Sequence, residues 1–171
     1  ATKSGPKHMA VYELENVDVI NTDAMKALRP FTEWGQRMAP SIIGSNYINM
    51  VLEMIYPDLL TDEIANSGMA PALQIGRMDV PDADQDDWNK WYSGVYVPNY
   101  EKCPGVIRGR RWKCVRGEPR YAVVYEFENE NVSETEEWLK QRESHPDNVR
   151  MRDMMTHADK SPGIWKKTFQ L

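Results

Sequence analysis

Three residues near the middle of the sequence carry side chains suited to catalysis: Tyr96, Arg108 and Arg110. A phenol such as Tyr96 can donate a hydrogen bond to a developing oxyanion or enolate, or act as a proton donor. Its ordinary pKa of about 10 makes it a poor base at neutral pH unless a cation stands beside it. Arg108 or Arg110 would supply that cation. The competing role for Tyr96 is an amphipathic core residue with its hydroxyl at the rim. Arg108, Arg110 and Trp112 share one face of an extended segment with Cys114, and Arg111 and Lys113 share the other. An inward arginine needs an acidic partner or an anionic ligand. Asp79, Glu126 or a substrate carboxylate would each serve, and a structural salt bridge is the favoured reading.

Around these lie candidates for substrate binding: Trp88, Trp91, Tyr92, Trp112 and His157. The chain holds six Trp, eight Tyr and ten Met, side chains that line pockets for flat apolar ligands but also fill ordinary cores. His157 and Asp159 precede the last expected strand, where they could close over a pocket or simply form a surface loop. Familiar catalytic signatures are missing: there is no nucleophile elbow, P-loop, dinucleotide fingerprint or H-E-x-x-H. Three scattered histidines and two cysteines without metal-site spacing predict no metal centre. The acidic run 79–87 reads as a solvated cap region, since it lacks the Gly and Glu of a calcium loop.

The elements that must position these groups follow from spacing. Trp88, Trp91, Tyr92 and Val95 fall on one face of a helix, with Asp84 as N-cap and Pro98 closing it. Cys103-Pro104-Gly105 turns the chain into a strand over 106–115, and Arg116 to Pro119 turns it again into a strand over 120–127. Leu73 to Val80 reads as a strand with Leu73, Ile75 and Arg77 on one side and Gln74, Gly76 and Met78 on the other. Ser133 with Glu136 reads as a capping box before a helix that buries Trp138 and Leu139. The polar segment 143–160 predicts an extension of that helix and a lid-like connection. Pro162-Gly163 then leads into a final strand over 165–171.

Trp91-Tyr92, Tyr96, Pro98, Pro104-Gly105, Arg110-Arg111-Trp112 and Gly117-Glu118-Pro119-Arg120-Tyr121 together resemble the dimeric α+β barrel superfamily. The similarity is greatest to its ferredoxin-like, EthD-type branch, and it covers residues 73–171. The resemblance implies an α+β fold of ferredoxin-like units whose antiparallel sheets pair into a barrel. It also implies that position 96 faces a cavity between helix and sheet. Val95 and Tyr96 stand where that branch carries Glu and His, so imidazole chemistry does not transfer, and no histidine on the helix suits haem.

An internal repeat extends this picture upstream. Pro6 to Asn16 aligns without a gap with Pro119 to Asn129, and Val19 and Thr22 answer Val132 and Thr135. A helix is expected over 21–38, with Met25, Leu28 and Phe31 inward and Pro30 breaking it; a strand is expected over 47–56. Residues 1–57 thus read as half a ferredoxin-like unit, strand-helix-strand. Residues 58–72 form a linker with a short helix near 59–65, and 73–171 a complete unit. Half a unit leaves sheet edges and apolar faces uncovered, so a second chain is an expected partner, either a missing first half or another copy.

The 171 residues are 41% hydrophobic and 27% charged, the composition of a soluble globular protein. A net charge of −5 argues against general nucleic-acid binding, and no stretch suggests a membrane span. Without a secretion signal, a reducing cytoplasm with both cysteines unpaired is expected. The superfamily repertoire implies a cofactor-independent enzyme of lyase, isomerase, cyclase or oxygenase type. Its substrate would be a small, flat, mostly apolar metabolite, aromatic or carboxylated. A non-catalytic ligand-binding or accessory protein and an oligomerisation module are the alternatives.

Overall fold

The computed structural model describes residues 1–28, 32–44, 47–59 and 61–170. Its centre is an antiparallel sheet of six strands: β1 (Val51–Tyr56), β2 (Ala72–Asp79), β3 (Val106–Arg116), β4 (Tyr121–Phe127), β5 (Thr156–His157) and β6 (Gly163–Lys166). The spatial order is β1-β3-β4-β2, with β5 and β6 both on the far edge of β2. From β2 onward the chain runs strand, helix, two strands, helix, strand, so β6-β2-β4-β3 has the ferredoxin-like order. The fold is therefore α+β, as expected. β1 adds a further strand at the β3 edge, so 51–56 and the downstream unit share one continuous sheet.

Register sorts the sheet into two faces. Met78, Gly76, Gln74 and Ala72 lie opposite Tyr121, Val123, Tyr125 and Phe127 on the face covered by helices. Leu73, Arg77 and Glu126 point to the other, outer face with Arg108, Arg110 and Trp112. The helix over the inner face is α5 (Gln85–Trp91), a π turn (Tyr92–Tyr96) and α6 (Val97–Tyr100) in unbroken succession. Pro98 therefore does not end it. Val97 N–H reaches back to the Tyr92 carbonyl, and this wider turn carries the helix past a residue that cannot donate. Gly109 on β3 permits the close approach, because a Cβ there would meet Val97 Cγ1 at 2.5 Å.

The second helical stretch contains α7 (Glu136–Lys140) and α8 (Asn148–Asp153). Its N-cap is Thr135, not Ser133: the Thr135 Oγ1 accepts from Trp138 N, while Ser133 lies in the preceding 3-10 turn. Trp138 is buried, but Leu139 is half exposed. The 143–160 segment is no continuous helix; it ends in β5, which places His157 on the sheet beside Met78.

The upstream copy reproduces this turn and cap closely. Asn16 Oδ1 accepts from Asp18 N at 2.9 Å and Asn129 Oδ1 from Asn131 N at 3.0 Å. Thr22 Oγ1 donates to Val19 O at 2.8 Å and Thr135 Oγ1 to Val132 O at 2.9 Å. Both threonines then cap a helix, accepting from Met25 N and Trp138 N at 3.3 Å. The strand expected before this turn is not formed, however. Residues 7–16 belong to no strand, and Tyr12 is 77% exposed whereas Tyr125 is 2% exposed. β4 is hydrogen-bonded on both edges, whereas among the described residues no strand pairs with 7–16, which leaves its backbone outside any ladder.

The rest of the upstream half is also shorter than expected. In place of a helix over 21–38 stand α1 (Asp23–Ala27), α2 (Glu33–Arg37) and then α3 (Pro40–Ile43), with Leu28 62% exposed. The expected roles of Pro30 and Phe31 lie outside the described residues. The strand expected over 47–56 begins only at Val51, and the linker holds α4 (Asp62–Asn66). The last strand ends at Lys166. The N-terminal residues instead tie down the β6 edge and outer face: Ile164 N donates to Lys3 O at 2.8 Å and Trp165 Nε1 to Pro6 O at 3.0 Å. No helix among the described residues is long and apolar enough to cross a membrane.

Candidate functional site

A cavity of about 400 Å³ opens between the helices and the inner sheet face. The π turn lines it. Across that turn Tyr92, Tyr96 and Tyr100 follow at intervals of four, bringing three phenols along one side. Tyr125 and Val123 of β4 form the floor, with Trp138 from α7 packed on Tyr100 at 4.3 Å and on Tyr125 at 5.0 Å between ring centres. Arg142, Arg152 and His157 stand around the cavity from the second helical stretch and β5.

Two of the hydroxyls are paired. Tyr96 and Tyr100 share a hydrogen bond of 3.3 Å. The Tyr125 hydroxyl is buried and makes no hydrogen bond among the described residues. Burial above all pushes the Tyr92, Tyr100 and Tyr125 phenols well above their usual range. At neutral pH these three are protonated. The His157 pKa is lowered, first by desolvation and then by the charges of Arg152 and Arg142, so its imidazole is neutral there.

Arg108 and Arg110 are not beside Tyr96. They occupy the outer sheet face, where both meet the fully buried carboxylate of Glu126. Arg108 Nε reaches Glu126 Oε1 at 2.7 Å and Arg108 Nη2 reaches Oε2 at 2.8 Å, while Arg110 Nη2 reaches Oε1 at 2.7 Å. Arg110 also pairs with Glu13 at 2.5 Å. The salt-bridge reading of this cluster, with Glu126 as the acid, is the one the geometry realises. Trp112 shares that outer face, with the Arg110 guanidinium 5.5 Å from its ring.

The cation on the inner face is Arg111, 1% exposed, stacked against Trp88, Tyr92 and Tyr121 at 4.9, 4.5 and 5.9 Å. It donates to Asn89 O at 3.1 Å, Asn89 Oδ1 at 2.6 Å and Ser93 Oγ at 2.7 Å. Burial lowers its pKa to about 10, which still leaves it charged at neutral pH. Trp88 and Trp91 belong to the packing around this group: Trp88 is fully buried and Trp91 donates to Asn148 Oδ1 at 3.2 Å.

Of the expected site residues, the structure therefore brings Tyr92, Tyr96 and His157 to one cavity; Trp88, Trp91, Arg108, Arg110 and Trp112 lie elsewhere. Tyr100, Tyr125, Trp138, Arg142 and Arg152 also line the cavity, beyond that set. The signal for Tyr100 was its spacing of four from Tyr96. No group of three or more His, Cys, Asp or Glu among the described residues is placed to hold a metal ion. Cys103 and Cys114 are free thiols. No family model matches this chain, and no curated protein matches it.

Proposed function

We propose that this protein is a cofactor-independent enzyme of the lyase, isomerase, cyclase or oxygenase kind. Its substrate would be a small, flat, mostly apolar metabolite held between the Tyr92–Tyr100 stretch and the sheet. The observation that carries the reading is Tyr96, which lines the cavity beside Tyr100 with a 3.3 Å hydrogen bond between the two hydroxyls. A substrate carbonyl oxygen would accept from Tyr96, and the Tyr100 hydroxyl would polarise that donor. As a neighbouring C–H bond breaks, charge accumulates on the oxygen, where a preorganised phenol stabilises it. Neutral His157 is the group at the cavity suited to receive the proton.

The likeness to the EthD-type branch of the dimeric α+β barrels agrees with this use of the helix-sheet cleft. On the same reading the outer sheet face, with its incomplete upstream repeat, meets a second chain, and the free thiols suit a reducing cytoplasm.

Deuterium exchange at the α-carbon of a flat ketone such as 2-tetralone tests the chemistry. Wild-type protein is expected to accelerate exchange, and Tyr96→Phe to lose about 100-fold of that acceleration, a far larger effect than on its unfolding midpoint. Equal exchange by the variant removes Tyr96 from the mechanism. Binding of the ketone without any exchange favours the accessory ligand-binding role instead.

A further inference from the structure

We propose that Arg142 and Arg152 form a carboxylate-binding end of the cavity, so that the ligand is a flat aromatic or unsaturated carboxylate lying ring-inward. This rests on the reading that the cavity receives a flat ligand.

The two arginines come from different elements, Arg142 from the turn after α7 and Arg152 from α8, and both line the same cavity. The other buried or half-buried arginines near the sheet are already engaged. Arg108 and Arg110 hold Glu126, Arg120 holds Asp82 at 2.6 Å, and Arg77 donates to Asp159 O at 2.8 Å. Among the described residues neither Arg142 nor Arg152 takes part in an ion pair. Arg152 is half-buried, a position where an unpaired guanidinium favours an anion.

The cavity wall supplies no competing anion. Glu134 is the carboxylate among its lining residues, and Lys3 holds it in an ion pair. The remaining polar groups include four phenols and His157, which can all donate. Apart from Gln74 and Ser133, the rest of the wall is mostly apolar and aromatic, with Trp138, Val123, Met155 and Ile164. A charged head at the arginines and a ring against Trp138 would match this division. A guanidinium fork takes a carboxylate bidentately, which orients the molecule as well as holding it.

Calorimetric titration with 2-naphthoate and its near-isostere 2-naphthamide, near neutral pH, tests the assignment. Wild-type protein is expected to bind the acid about 10- to 100-fold more tightly than the amide. That preference is expected to disappear in Arg142→Gln/Arg152→Gln with amide affinity kept, and to be partly kept in Arg152→Lys, which retains charge without the fork. Equal affinity for acid and amide in the wild type overturns the anchor while leaving the cavity reading intact. So does an acid preference that survives in the double variant. Binding of neither probe overturns the anchor and the flat-ligand cavity together.

Discussion

Protonating His157 would place another positive charge beside Arg152 and Arg142, and this sets the sign of its pH dependence. Its folded-state pKa lies below the ordinary value of 6.5, so the unfolded chain takes up the proton first as pH falls. Above that value the group has no effect on stability; below it the folded state loses ground. Denaturant titrations of wild type and His157→Gln should therefore diverge on acidification, with the wild type falling faster. A parallel pH profile for the two proteins would show that His157 titrates as a free imidazole. A carboxylate at the arginines should move the imidazole midpoint upward, which NMR titration of its ring protons would register.

At the scale of elements, the matched turns allow a paired comparison. Thr22 and Thr135 make the same two hydrogen bonds, but α7 buries Trp138 against the core and α1 buries nothing. Thr135→Ala is expected to lower unfolding free energy by about 1 kcal/mol. Thr22→Ala should cost less than about 0.5 kcal/mol, because an exposed short helix opens locally before the molecule unfolds. Equal costs in denaturant unfolding would mean that the upstream helix is part of the cooperative core.

These elements also show where sequence reading succeeds. Alternation along β3 correctly separated Arg108, Arg110 and Trp112 from Arg111 and Lys113, since side chains in a strand point to opposite faces in turn. It does not say which face the helix covers, and the covered face holds Arg111 in place of Arg108 and Arg110. The aromatic stripe of the central helix was legible from its spacing. The π turn was not, because an added residue in one turn changes hydrogen-bond register without changing composition. Arg142 and Arg152 lie in a polar stretch with no periodicity, and only the fold brings them together.

For the molecule as a whole, the outer sheet face is held by charge where the inner face is held by rings. Glu126 is 0% exposed and joins Arg108, Arg110 and the Ala70 amide, so Glu126→Gln removes the carboxylate that Arg108 pairs with and leaves Arg110 only the exposed Glu13. A loss of about 3 kcal/mol is expected. Glu13 meets the same Arg110 from the N-terminal segment but is partly exposed, and Glu13→Gln should cost less than about 1 kcal/mol. Similar losses for both would mean that the N-terminal segment, not the buried carboxylate, neutralises the cluster. On the inner face the rings touch in an unbroken series: Trp88, Tyr92, Tyr96, Tyr100, Trp138 and Phe127, with centres 4.3–5.0 Å apart. Excitation absorbed by any of these tyrosines should pass to an indole before it can be emitted. The native protein would then glow as tryptophan alone at these sites, and the appearance of phenolic emission on denaturation would report the parting of helix from sheet.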